Sequence, residues 1–251
     1  MRPIMKRLVA LPATLALIAL AGCGQQDSGA NASAPGGNVA AKAAPAGSSW
    51  AQQVVATPEG GFRMGNPDAP IKLIEFGSYT CPHCADFTEQ SHEPLERDYV
   101  NSGKVSFEYR NFVRDPLDIA VALLARCSGP EAFFPLNVQF FGYQEGMIRQ
   151  LQSQGEGAYQ AALTSPPEQR FIKVAELGGL IEFAKQRGIP EEKARQCLAD
   201  VKTAEALASG VQRDSEKYQI TGTPTLILNE KRLENAATWQ GLEEQLKGAG
   251  A

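Results

Sequence analysis

Two cysteines separated by two residues are the part of this sequence best suited to chemistry. The motif Cys81-Pro82-His83-Cys84 follows a strand-like run, residues 71–76, and opens a helix-like run that continues through Leu95. A cysteine at the start of a helix faces backbone N–H groups that have no partner within the helix. Those groups and the helix dipole stabilise a thiolate relative to a thiol. The spacing therefore predicts a reactive dithiol capable of disulfide exchange.

The four residues of this motif are predicted to have different roles. Cys81 is expected to be the exposed nucleophile, with a pKa in the range of roughly 3.5–7.5 that activated thiols show. Cys84 lies one turn further along, more buried, and is suited to resolving a mixed disulfide. Pro82 is tolerated at a helix start, where its missing N–H leaves no hydrogen bond unmade. His83 is expected to stabilise the Cys81 thiolate by positive charge or by a hydrogen bond.

A structural disulfide and half of a zinc site are the two other interpretations of this cysteine pair. A structural zinc ion usually has four protein ligands. The chain has two histidines, one of them inside the motif, and no second pair of cysteines at this spacing. The sequence therefore favours redox chemistry and predicts no metal site.

The elements around the motif indicate a small α/β domain with a helical domain inserted into it. Strand patterns cover residues 71–76 and 104–112, and they return at residues 225–228 before a turn and a short extended piece. The intervening residues 115–200 have helical patterns, including a continuous helix predicted over 171–185. A last amphipathic helix is predicted over residues 238–247. Pro94 is expected to kink or interrupt the helix that carries the dithiol.

The N-terminus has the pattern of a secretory signal. Three basic residues precede an apolar run over residues 8–20, which is too short for an ordinary transmembrane helix. The sequence Leu20-Ala21-Gly22-Cys23 resembles the lipobox of bacterial lipoproteins, in which the cysteine is lipidated. Cleavage by an ordinary signal peptidase and an uncleaved anchor are the alternatives. We predict a signal peptide at 1–22 and a flexible, lipid-anchored linker at 23–49, which is rich in small residues.

Export and charge limit the classes of function. A protein outside the cytoplasm can keep disulfides. Removal of residues 1–22 takes away three basic groups, so the net charge changes from −4 to −7. An acidic chain without basic clusters is a poor nucleic-acid binder, and no nucleic-acid partner is predicted.

A second motif lies far from the dithiol in sequence. Residues 220–225 read Ile-Thr-Gly-Thr-Pro-Thr, and the proline leads directly into a strand. With the dithiol after the first strong strand, this pattern resembles the thioredoxin superfamily, and the Cys-Pro-His-Cys sequence and helical insertion resemble its DsbA branch. The resemblance covers residues 50–251. It implies a thioredoxin fold divided into an N-terminal half (50–114), a helical insertion (115–200) and a C-terminal half (201–251).

The resemblance also implies roles for three further residues. Pro224 is expected to have a cis peptide bond and to face the dithiol, with the backbone of Thr223 holding a substrate strand. A plain proline at the start of a strand is the alternative. Thr223 departs from the strong oxidants, which carry valine there, and resembles the isomerase and reductase branches. Glu75 matches a buried acid that exchanges protons near the resolving cysteine, the alternative being an exposed glutamate on the strand.

Two more cysteines and an aromatic group lie in the helical block. Cys127 and Cys197 are expected to form a structural disulfide, because remaining cysteines of an exported protein are usually paired. Two separate buried thiols and a second redox couple are the alternatives. The aromatic group is expected to be core rather than a client groove, and it consists of Phe133, Phe134, Phe140, Phe141 and Tyr143.

Together these features predict a periplasmic, DsbA-like thiol–disulfide oxidoreductase that introduces disulfides into newly exported proteins. Its predicted partners are unfolded cysteine-containing proteins, a membrane quinone-linked reoxidase, and the membrane through lipidated Cys23. The Cys81/Cys84 couple needs no organic cofactor. A disulfide isomerase or reductase on the same site is the alternative, and a non-catalytic envelope lipoprotein that binds clients is another.

Overall fold

The computed structural model describes residues 37–251. The predicted signal peptide, Cys23 and the first part of the predicted linker lie outside the described residues. Within the described part of the chain, no helix combines the length and the apolar composition needed to cross a membrane.

The C-terminal part of the predicted linker is attached to the folded body, which corrects the prediction of a flexible segment up to residue 49. The backbone N–H groups of Val39 and Lys42 donate to Gly250 and Ser102. The indole of Trp50 donates to the Lys42 carbonyl over 2.6 Å. Ala44 also packs against the core. These contacts satisfy the backbone and bury apolar surface, so a composition of small residues did not prevent ordering here.

A six-stranded mixed sheet forms the centre of the fold, in the order β1-β2-β4-β3-β5-β6. β3 and β4 are parallel, and every other neighbouring pair is antiparallel. All seven residues of β4 are buried, as expected for a strand covered on both faces. The strands are β1 (Val54–Ala56), β2 (Phe62–Gly65), β3 (Ile71–Gly77), β4 (Val105–Asn111), β5 (Thr225–Leu228) and β6 (Lys231–Arg232).

Ten α-helices surround the sheet within residues 37–251. Pro94 ends the first of them, and the chain continues as a π-helix over Leu95–Val100. The α-helices are α1 (Pro82–Pro94), α2 (Pro116–Ala125), α3 (Pro130–Gly142), α4 (Gln144–Ser153), α5 (Glu156–Leu163), α6 (Pro167–Leu177), α7 (Leu180–Lys185), α8 (Glu191–Leu198), α9 (Val201–Tyr218) and α10 (Trp239–Gly248).

The helical block between β4 and β5 has the expected position but differs in detail. The helix predicted over residues 171–185 is two helices, α6 and α7, separated at Gly178 and Gly179. Gly179 has a φ of +67°, and a side chain there would collide with Gln150. The long helix α9, which leads back to the sheet, was not predicted. Four phenylalanines of the aromatic group are buried core residues and Tyr143 is half-buried, as predicted.

Candidate active site

Cys81 lies between the end of β3 and the start of α1. Its backbone is extended, with φ −94° and ψ 116°, and Pro82 occupies the first helical position. The Cys81 carbonyl accepts hydrogen bonds from the N–H groups of Cys84 and Ala85, over 3.1 and 3.3 Å. The sequence therefore places Cys81 at the helix start as predicted, because proline fits the first turn and cannot donate there.

A buried carboxylate from the inserted helical block holds the loop before Cys81. Asp118 of α2 accepts hydrogen bonds from the Ser78 hydroxyl at 2.5 Å and from the Tyr79 N–H at 2.8 Å. It also accepts from the Arg114 N–H at 3.0 Å. Burial raises the pKa of Asp118 to about 7, although these hydrogen bonds act in the opposite direction. The role of Asp118 was not predicted, but an aspartate inside a run as apolar as α2 was a usable signal.

Gln144 of α4 fixes the same loop from another side. Its side-chain Nε2 donates to the Tyr79 carbonyl over 2.8 Å and to the Cys81 carbonyl over 2.9 Å. Gln144 is buried, so the two hydrogen bonds are protected from water. No sequence pattern singled out this residue, because its effect depends on how α4 packs against the start of α1.

The Thr223-Pro224 motif lies in contact with the dithiol. The Thr223–Pro224 peptide bond is cis. The Cys81 thiol donates a hydrogen bond to the Thr223 carbonyl over 3.2 Å. Two motifs about 140 residues apart in the chain therefore form one site, and the backbone of Thr223 lies next to the sulfur atom.

The environment of Cys81 stabilises its thiolate. A hydrogen bond from the Cys84 side chain makes the largest contribution, and the pKa of Cys81 falls from about 9 to about 5 although burial acts against the charge. The Thr223 side chain, the Cys84 backbone and the charge of Arg114 lower the pKa further. The thiol form donates to the Thr223 carbonyl, whereas the thiolate form accepts from these donors.

Two expectations about Cys81 were wrong. The residue is only 4% exposed, not an exposed nucleophile, and its sulfur lies against the Thr223 carbonyl. His83 is exposed, forms no hydrogen bond with the Cys81 sulfur and is not among the causes of the lowered pKa. The lowered pKa of Cys81 instead comes from Cys84, Thr223 and Arg114.

The pKa of Cys84, the resolving cysteine, is shifted in the opposite direction to that of Cys81. Cys84 is completely buried. Burial raises its pKa well above the ordinary value, and the hydrogen bond to Cys81 and the charge of Glu75 add to this effect. At neutral pH the reduced pair therefore consists of a thiolate at Cys81 and a thiol at Cys84. This asymmetry is suited to a nucleophile and a resolving group.

Glu75 is buried beside the dithiol, which excludes the exposed glutamate considered above. It is 3% exposed, and its Oε1 has no hydrogen-bond partner among the described residues. Burial, and secondarily the charge of Cys81, raise the pKa of Glu75 to about 8. A carboxyl group with this pKa can hold or release a proton near neutral pH.

We expect Glu75→Gln to stabilise the folded protein. The folded pKa, about 8, lies above the ordinary 4.5, so ionisation of Glu75 opposes folding. This cost is absent below about pH 4.5, grows as the pH rises and is complete above about pH 8. Urea unfolding of reduced protein at pH 7 should show a gain on the order of 3 kcal/mol. A gain that is the same at pH 4 and pH 7 would contradict the proposed ionisation.

The structure shows which of the four described cysteines are paired. A disulfide joins Cys127, just after α2, to Cys197 in α8. Cys81 and Cys84 are free thiols. Across residues 37–251, no group of histidine, cysteine and acidic side chains is arranged to hold a metal ion. An open cleft of about 800 Å³ begins at Pro82 and runs between α1 and the helices α3 and α4.

Comparison with known proteins supports the relationship suggested by the two motifs. A family model described as thioredoxin matches residues 57–248. A protein-disulfide isomerase from Novosphingobium aromaticivorans is 33% identical, with a TM-score of 0.70 over 74% of this chain and 94% of its own. Alpha-DsbA1 of Wolbachia pipientis, 20% identical, has the same fold, with a TM-score of 0.61 over 75% of this chain and 89% of its own.

A curated relative is longer than this chain. A putative protein-disulfide oxidoreductase of Rickettsia prowazekii is 29% identical over 172 residues, which are 68% of this chain and 55% of that protein. The chain thus spans about half the length of this relative. The family match over 57–248 and the shared fold confirm the predicted thioredoxin fold with an inserted helical domain. The chain belongs to the thioredoxin family, and it shares the fold of the DsbA structure.

Proposed function

We propose that this protein is a thiol–disulfide oxidoreductase that introduces disulfides into cysteine-containing client proteins. The observation that carries the proposal is the asymmetric dithiol at the cis-proline loop. Cys81 has a pKa of about 5 and contacts the Thr223 carbonyl, whereas Cys84 is buried with a raised pKa. The names of the relatives support disulfide chemistry in general.

The proposed reaction begins with the oxidised Cys81–Cys84 disulfide. A client thiolate attacks Cys81 Sγ, the S–S bond breaks, and Cys84 leaves and takes up a proton. Glu75, protonated below about pH 8, is the nearby donor of that proton. A second client thiolate then attacks the client sulfur of the mixed disulfide and expels Cys81 as a thiolate. The client gains a disulfide, and the enzyme is left with a reduced dithiol.

The electrostatics of Cys81 favour the oxidising direction. Its folded pKa of about 5 lies below the ordinary value of about 9, so its ionisation stabilises the reduced protein. This contribution to the stability of the reduced protein is complete above about pH 9 and partial at pH 7. It is lost as the pH falls through about 5. A stabilised reduced form makes the disulfide a stronger oxidant.

The proposed setting is the periplasm. The signal-like N-terminus and the Cys127–Cys197 disulfide support export, because disulfides persist in oxidising compartments. The proposed partners are newly exported proteins and a membrane quinone-linked reoxidase. Lipidation at Cys23 would keep the enzyme at the membrane. The Cys81/Cys84 couple carries the electrons, so the proposal includes no organic cofactor.

Disulfide isomerisation is the second candidate. The 33% identical structure is called a protein-disulfide isomerase. Thr223 also resembles the isomerase and reductase branches at that position. An isomerase would start from the reduced dithiol and rearrange disulfides that a client already contains.

One experiment tests both candidates. The oxidised protein is mixed at pH 7 with a reduced peptide that contains two cysteines, and free thiols are measured on both partners. We expect one peptide disulfide for each enzyme reduced, and a potential against glutathione nearer to about −120 mV than to about −270 mV. A Cys84→Ser variant should accumulate a mixed disulfide through Cys81. Activity only by the reduced enzyme on a scrambled client would instead establish isomerisation.

A further inference from the structure

Two buried polar atoms beside the dithiol are left without a partner. Glu75 Oε1 and the Tyr109 hydroxyl are buried, and neither has a hydrogen-bond partner within residues 37–251. The two residues are only 3% and 1% exposed. Buried polar groups are almost always hydrogen-bonded, because an unpaired one costs free energy. Two such atoms behind a reactive site therefore call for a functional explanation.

The sheet places these two side chains on the same face. Glu75 of β3 and Tyr109 of β4 are direct partners in the parallel register, so their side chains point in the same direction. Gly77, two residues after Glu75, leaves room for the tyrosine. A Cβ atom at Gly77 would lie 2.7 Å from the Tyr109 hydroxyl oxygen. The hydroxyl thus lies over the backbone of the strand that carries Glu75.

Tyr109 is held in place and always carries a proton to donate. Its ring packs against Phe133 and Phe141, with centroid distances of 5.9 and 6.1 Å. Burial raises the pKa of Tyr109 well above its ordinary value of 10. The neighbouring Tyr79 differs, because its hydroxyl already donates to Asn137 Oδ1 over 2.6 Å.

Other ionisable groups lie around Tyr109 and the dithiol but are engaged elsewhere. Cys81 and Cys84 of α1 are the reacting thiols. Asp118 of α2 holds the loop before Cys81, and Arg126 donates to Asn111 over 2.6 Å. On its other side, β3 presents Glu75 to Leu226 of β5, which is apolar. Tyr109 Oη and Asn111 Nδ2, on the same face of β4, are the buried donors left without a partner here among the residues that the structure describes. Tyr109 is the register partner of Glu75, whereas Asn111 lies opposite Gly77.

We propose that Tyr109 is a positioning residue that donates a hydrogen bond to the Glu75 carboxylate. This hydrogen bond sets how strongly Glu75 holds the proton that it exchanges with Cys84. The hydrogen bond forms directly or through one bridging water when the carboxylate is ionised. This inference rests on the proposed function. As Cys84 leaves a disulfide, the O–H bond of Glu75 breaks and an S–H bond forms on Cys84. In reoxidation the same proton returns to Glu75. Tyr109 keeps its own proton throughout.

The test is Tyr109→Phe, which keeps the ring and removes only the hydroxyl. Loss of a donor to a charged group should raise the pKa of Glu75 by about one unit or more. The pKa is measured by NMR titration of the ¹³C-labelled glutamate carboxyl groups, with Glu75→Gln used to assign the signal. The pH profile for resolution of a mixed disulfide by Cys84 should move to higher pH by the same amount.

Tyr79→Phe is the matched control. It removes the hydroxyl of Tyr79, which is as buried as that of Tyr109 and belongs to a neighbouring ring. That hydroxyl already donates to Asn137, so its removal should leave the pKa of Glu75 unchanged. Urea unfolding of both variants separates loss of stability from the change in pKa. An unchanged Glu75 pKa in Tyr109→Phe, or equal shifts in both variants, would overturn the inference. The NMR titration needs no client, so it remains decisive even where wild-type protein fails to oxidise the test peptide and the proposed function is rejected.

Discussion

Replacement of Cys81 by serine should abolish disulfide transfer, with a loss of at least about 1,000-fold, as is usual when a catalytic nucleophile is removed. A serine oxygen cannot form the disulfide with Cys84 that accepts the client's electrons. The pKa of about 5 at Cys81 also has no equivalent at a serine hydroxyl, which stays protonated. The measurement is single-turnover oxidation of a reduced dithiol peptide at pH 7.

Wild-type protein supplies the pH control for this variant. Thiolate absorbance of the reduced protein should titrate with a midpoint near pH 5, and the signal should be absent in Cys81→Ser. A midpoint above about pH 8 would contradict the activation of Cys81. Retention of the cellular role by Cys81→Ser would favour the non-catalytic binding protein considered from the sequence.

Removal of the second cysteine pair should cost stability. The Cys127–Cys197 disulfide joins residues 70 apart, and a loop of this length contributes on the order of 4 kcal/mol in the chain-entropy model. We expect the double variant Cys127→Ala/Cys197→Ala to lose about this free energy of unfolding in urea. The Cys81 midpoint should remain near pH 5.

The same double variant tests the alternative of a second redox couple. A structural disulfide predicts that the less stable variant still oxidises peptide in a single turnover, at temperatures where it is folded. Unchanged stability together with lost electron transfer would show instead that Cys127 and Cys197 take part in the redox reaction. Cys81→Ser, with its second disulfide intact, is the reference for complete loss of transfer.

Local sequence patterns were sufficient to predict the main elements of the fold. Strands β3, β4 and β5 have strong apolar patterns within a few residues of their observed bounds. Pro82 and the cysteine spacing placed the dithiol at a helix start. The proline at 224 could be placed beside Cys81 only through the resemblance to a family, because local propensity carries no information about contacts between such distant residues.

The residues that tune the site were harder to predict. His83 was expected to act on the Cys81 sulfur because it is only two residues away in sequence, but it is exposed and does not contribute to the lowered pKa of Cys81. Gln144 and Tyr109 act through the packing of helices and the register of strands, which a single sequence does not reveal. Helix α9 was not predicted, although Asp200 is its N-cap and accepts a hydrogen bond from the Thr203 N–H over 2.9 Å.

The contacts made by Asp118 and Gln144 have a consequence for engineering. Both residues belong to the helical insertion, which interrupts the smaller α/β domain. Both form hydrogen bonds with backbone groups of Tyr79 or Cys81, next to the reactive sulfur. Excision of that segment to obtain a minimal enzyme would therefore release the catalytic turn. The helical insertion is therefore part of the reactive centre. A redesign of its outer surface must keep the hydrogen bonds that Asp118 and Gln144 make to the catalytic loop.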